Sequence, residues 1–172
     1  MKLNGSFWTG LFLAGWLFHA VVSSLWSIPV PSPQWLLLAV LAVGSIGRVA
    51  AAETLGFFWG LMLDAQGSSL FGAQGWILAA AGFAVGRLSR QVDAEKALSQ
   101  VILAAGGTLF YLVFLAQSEL LFRGTGVPHV PPIGAALAQL LINAAAAPLV
   151  FRLVRAAGRR FLGGEESHAY GD

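Results

Sequence analysis

The stretch Leu55–Gly72, LGFFWGLMLDAQGSSLFG, decides how the chain is read: an apolar, helix-like run carries one carboxylate and then breaks into a small polar turn. On an α-helix Gly56, Gly60 and Asp64 recur every four residues and share one narrow face, whose first two members lack a Cβ. Another helix can approach that face closely. The remaining side, with Leu55, Phe57, Phe58, Trp59, Leu61, Met62 and Leu63, suits lipid or neighbouring helices. Asp64 is the only acidic residue between Glu53 and Asp93. An ionisable side chain on a membrane-depth helix is a functional-site candidate by default.

Composition supplies the membrane. Hydrophobic residues make up 57% of the chain and charged residues only 10%, where an ordinary soluble domain carries about 25%. Mean hydropathy is +0.74. The 172 residues leave room for one domain of roughly six spans of about 20 residues each. A net charge of +2 comes from basic residues scattered between apolar segments, not from a broad basic face, so nucleic acid is not an expected partner. With no cysteine, disulfides and thiolate metal sites are excluded. His19, His129 and His168 lack metal-ligand spacing, and no metal or cofactor is expected.

Working outward, the spacing predicts an all-α integral membrane protein, a six-helix bundle with spans at 7–27, 34–47, 53–64, 70–88, 99–122 and 133–153. Residues 1–162 form its single membrane domain, and 163–172 read as a polar, disordered tail. The prolines of IPVPSP, residues 28–33, end the first helix, and GTGVPHVPP, residues 124–132, separates the last two. The second helix is too short to cross a bilayer upright and needs tilting, local thinning or protection by the rest of the bundle. With both termini in the cytoplasm, nine of the ten Lys and Arg residues fall inside and only Arg123 falls outside. The positive-inside rule asks for that asymmetry.

These residues resemble a family. G-x-x-x-G-x-x-x-D at Gly56, Gly60 and Asp64, followed by S-x-x-G ending at Gly72, resembles the signature of MreD, the rod-shape-determining membrane protein of bacteria. Asn143 and Pro148 in the last span, with an arginine-rich end, look like that family's final helix. The resemblance implies a non-enzymatic inner-membrane scaffold of the cell-elongation machinery. Its implied partners are MreC, RodA with its class B penicillin-binding transpeptidase, and the MreB filament, directly or indirectly. It also implies an architecture similar to the six-helix substrate-binding S-components of energy-coupling-factor vitamin transporters, which makes a vitamin-binding subunit the alternative function.

Each candidate also has a plainer reading. Gly56 and Gly60 fit close packing within one subunit, with a homodimer or partner seam as the alternative. Asp64 can cap the fourth helix, together with Ser68 and Ser69, or serve a partner or pocket. A small-molecule pocket would lie near Asp64 and Gln117 to Glu119. Gln139 and Asn143 sit at i, i+4 as interhelical glue, Pro148 predicts a kink, and Glu119 and Arg123 are spaced for an ion pair. His19 is expected to bond a neighbouring helix. Arg152, Arg155, Arg159 and Arg160 form a basic tail suited to anionic membrane lipids. No nucleophile and base share a recognisable catalytic spacing, so an intramembrane enzyme is disfavoured.

Overall fold

The computed structural model describes residues 5–27, 31–67, 70–91, 93, 96–123 and 131–162, and the described residues are helical with no strand. Six helices follow in order: α1 (Gly5–Leu25), α2 (Trp35–Ser45), α3 (Val49–Gln66), α4 (Ala73–Leu88), α5 (Ala97–Arg123) and α6 (Ile133–Leu162). Three of them, within Ser6–Leu25, Ala97–Phe122 and Ile133–Arg160, are long and apolar enough to cross a membrane. Residues 163–172, read as a tail, and most of the 124–132 loop lie outside the described residues.

The shortest helix is the centre. α2 has only 11 residues, roughly 16 Å at about 1.5 Å per residue, yet it touches all five other helices. Leu36, Leu37, Leu38, Val40, Leu41, Ala42, Val43 and Gly44 are all buried, so it has no lipid face to satisfy. A helix that is apolar all round belongs inside a protein or a membrane, and here the bundle itself supplies the cover.

α3 starts earlier than the expected residue 53. The chain is broken at Gly47, whose φ of +80° is the left-handed turn that glycine adopts without penalty, and helix resumes directly at Val49. Glu53 and Thr54 are therefore inside α3, and Thr54 Oγ1 donates back to the carbonyl of Ala50 at 2.8 Å. α6 likewise continues past residue 153 to Leu162, which puts Arg152, Arg155, Arg159 and Arg160 on a helix and not on a loose tail. Alanine and arginine are strong helix formers, and cations at a helix C-terminus complement its dipole. Pro148 lies within this continuous helix.

α3 and α4 run antiparallel with their backbones nearly in contact. A Cβ on Gly56 would sit 2.7 Å from the Leu78 carbonyl oxygen, one on Gly60 would meet the backbone of Gln74 and Gly75, and one on Gly86 would lie 2.6 Å from Val49 Cγ2. Gly82 faces Ala52 in the same register. The glycine face of α3 is thus turned toward α4 of the same chain. The apolar side of α3 divides: Leu55 and Trp59 are buried in the core, whereas Phe57 and Phe58 are exposed.

α1 lies at the edge, touching α2 and α3. Trp59 is its main anchor. The fully buried indole donates from Nε1 to the Phe12 carbonyl at 3.1 Å, stacks on the Phe12 ring at 6.0 Å, and fills the space over Gly15 that a Cβ would need.

Candidate functional site

Because Asp64 lies one turn beyond Gly60 on the seam, the antiparallel register delivers its side chain to the start of α4. The carboxylate is 3% exposed and accepts from the backbone N–H groups of Gly72 at 2.9 Å, Gln74 at 3.1 Å and Gly75 at 3.3 Å. Gly72, at φ +96°, turns the chain so that these amides converge. The arrangement places an anion where the first-turn amides lack intrahelical partners and the helix dipole is positive. Capping and charge placement are one geometry here. Gln74, held there by its backbone, accepts at Oε1 from the Tyr111 hydroxyl of α5 at 2.6 Å.

A second polar group ties α6 to α2 and α5. Asn143 is fully buried. Its Oδ1 accepts from the Gln34 backbone N–H at 2.8 Å and from Gln139 Nε2 at 3.1 Å. Its Nδ2 donates to Gln34 Oε1 and Thr108 Oγ1, each at 3.0 Å. Two donors and two lone pairs are all used, which is the full capacity of a carboxamide. Gln139 also donates to the Ser32 carbonyl at 3.0 Å. The i, i+4 pair of α6 thereby grips the segment that enters α2.

The structure brings Asp64, Gly72 and Gly60 together at the α3–α4 end, and Gln139 with Asn143 at the start of α2. It does not bring Gln117 or Glu119 to either group: Gln117 is exposed and Glu119 half-buried, two turns further along α5 than Tyr111. The side chain of Arg123, the expected ion partner of Glu119, lies outside the described residues, as do Ser68 and Ser69 beside Asp64. Pro148 is half-buried on α6, and Arg152, Arg159 and Arg160 are exposed. Among the described residues no cluster of His, Asp and Glu could hold a metal ion.

Sequence reasoning missed Gln34, Gln74, Thr108 and Tyr111. Gln34 follows Pro33 at a helix start, which marked it as a boundary, but its partner lies 109 residues away. Tyr111 is one of two tyrosines in the chain and the only one in an apolar run, a signal that an aromatic hydroxyl at membrane depth needs a partner.

The model of a family described as rod shape-determining protein MreD matches residues 1–156. No curated protein and no solved structure matches the chain.

Proposed function

The chain belongs to the MreD family of rod shape-determining membrane proteins, and from that premise we propose that it is a scaffold subunit of the machinery that elongates the bacterial cell wall. The family match over residues 1–156 carries the reading. Its interior favours a structural role over catalysis, since Asp64 accepts from three backbone amides at the start of α4 and Asn143 spends its full hydrogen-bonding capacity on holding helices together. Lateral helix faces and the outer loops then engage MreC, RodA with its class B transpeptidase, and the MreB filament directly or through MreC.

The proposed topology has six crossings of the inner membrane as one domain over residues 1–162, with both termini in the cytoplasm. Two observations support it. Ile46 Cδ1 lies 3.5 Å from the Cβ position of Gly158, and Val49 meets Gly86, so Arg48, Arg87, Arg155 and Arg159 gather at one end. The opposite end holds Asp64, Gln34 and Gln139, with little positive charge to retain it in the cytoplasm. No solved-structure match supports the S-component alternative.

The test is capture of the full-length chain from native membranes with identification of what accompanies it. MreC and RodA are the expected companions; recovery of an energy-coupling ATPase module in their place would overturn the scaffold. Because the chain has no cysteine, Ser68→Cys gives a single label site. Labelling from the external side is expected, and labelling only from the cytosol rejects the six-crossing topology.

A further inference from the structure

A groove of about 380 Å³ runs between α4 and α5, with Ala84, Val85 and Leu88 on one wall and Ile102, Gly106 and Phe110 on the other. It starts at the end of α4 that carries Arg87 and Arg90, both exposed. At its far end Phe110 lies 4.3 Å from Phe114, whose ring meets Trp76 edge-on at 5.5 Å. From Ile102 to Phe110 the helix rises about 12 Å, close to the roughly 15 Å that one leaflet contributes to a hydrocarbon core about 30 Å thick. α4 and α5 touch one another, so the groove admits a slender chain, whereas a helix about 10–12 Å across could only lie over it.

The adjacent Gly106 and Gly107 differ in what they serve. A Cβ on Gly107 would lie 2.5 Å from Leu41 Cδ1, so packing on α2 requires that glycine, but one on Gly106 would meet nothing within 4 Å. Glycine inside a helix is less stable than alanine, and no described neighbour asks for it at 106. What Gly106 does provide is room in the groove wall, on a side open to the bilayer.

Charge decides what kind of chain fits. The Arg87 guanidinium lies 5.0 Å over the Phe83 ring, and neither Arg87 nor Arg90 makes an ion pair among the described residues. Asp93, the nearest described acid in sequence, stands 3.4 Å from Lys96. A guanidinium suits phosphate oxygens through its parallel N–H donors, and basic side chains at a membrane surface attract anionic lipid. The walls are apolar throughout, so a free phosphate or an acidic peptide would lose its hydration there without compensation. An occupant that satisfies both ends has an apolar tail and an anionic head.

From this we propose that the α4–α5 groove is a binding site for one anionic phospholipid, with an acyl chain lying against Gly106 and the phosphate held at Arg87 and Arg90. The site goes beyond the scaffold reading and stands independently of it, because failure here leaves partner capture untouched.

The test is native mass spectrometry of the full-length chain in detergent, titrated with phosphatidylglycerol or phosphatidylcholine, reading the affinity of the first lipid bound. We expect phosphatidylglycerol to bind about tenfold more tightly than phosphatidylcholine, and the double variant Arg87→Gln/Arg90→Gln to abolish that preference. Gly106→Leu fills the groove from a position with open space around it, so it should keep the wild-type thermal midpoint while losing about tenfold in phosphatidylglycerol affinity. Ile102→Trp, at an exposed position on the same wall, blocks the groove independently and should give the same loss. Equal affinity for the two lipids in the wild-type protein overturns the proposal. So does wild-type phosphatidylglycerol binding in folded Gly106→Leu or Ile102→Trp, including the case in which either variant instead loses a membrane-protein partner, which would make the groove a seat for a helix.

Discussion

The α3–α4 pair and the α2–α6 pair solve the same problem by opposite means. In a membrane, apolar burial gives helices little reason to prefer one another over lipid, so close backbone packing or interhelical hydrogen bonds must do it. α3 and α4 use the first: Gly56, Gly60, Gly75, Gly82 and Gly86 strip the seam of side chains along its length. α6 and α2 use the second, through one carboxamide at Asn143 that engages three other side chains and one backbone amide. A seam of the first kind fails when an atom is added. A joint of the second kind fails when an atom is removed.

That contrast can be broken experimentally. Gly60→Leu should have the largest effect, a loss of about 3 kcal/mol or more, because its side chain meets backbone that cannot step aside. Thermal unfolding in detergent measures it, and an unchanged midpoint would remove α4 from that face. Asp64→Asn keeps the size but gives up the charge facing three amides, and we expect a cost of about 2 kcal/mol together with faster hydrogen exchange in the first turn of α4. Asn143→Leu fills the space and orphans Gln34 and Thr108, for about 1–2 kcal/mol. Combining it with Gln34→Leu should cost less than the two single losses added, since each already breaks the shared bonds. The smallest effect belongs to Trp59→Phe, about 1 kcal/mol, which removes the bond to Phe12. Its signature is protease access to α1 with little change in the global midpoint.

Much of the seam could be read from spacing alone, because glycine every fourth residue is meaningful on a helix whatever it faces. The facing element could not be read: one face with no Cβ serves a neighbour within the chain as well as a second copy. Long-range polar pairs were equally silent, since neither Gln34 nor Thr108 carries a mark of the distant Asn143. Helix ends were less legible than helix faces. The spans 34–47 and 53–64 leave a connection between them, but the break is the positive φ of Gly47, and helix resumes at Val49. Trp59 belongs to a side that reads as suited to lipid or to neighbouring helices, and the structure gives it the second, with its N–H on a carbonyl of α1 inside the core.

The central position of α2 also sets an order of events during biogenesis. Gln34 emerges from the ribosome 109 residues before the asparagine that secures it. Through that interval a segment of 11 residues, too brief to cross the bilayer upright, is sheltered by the first helix and then by α3, α4 and α5 as they follow, but not by α6. Final embedding of this segment therefore awaits translation of the last helix, and a nascent chain halted before residue 143 leaves it for the insertion machinery to hold.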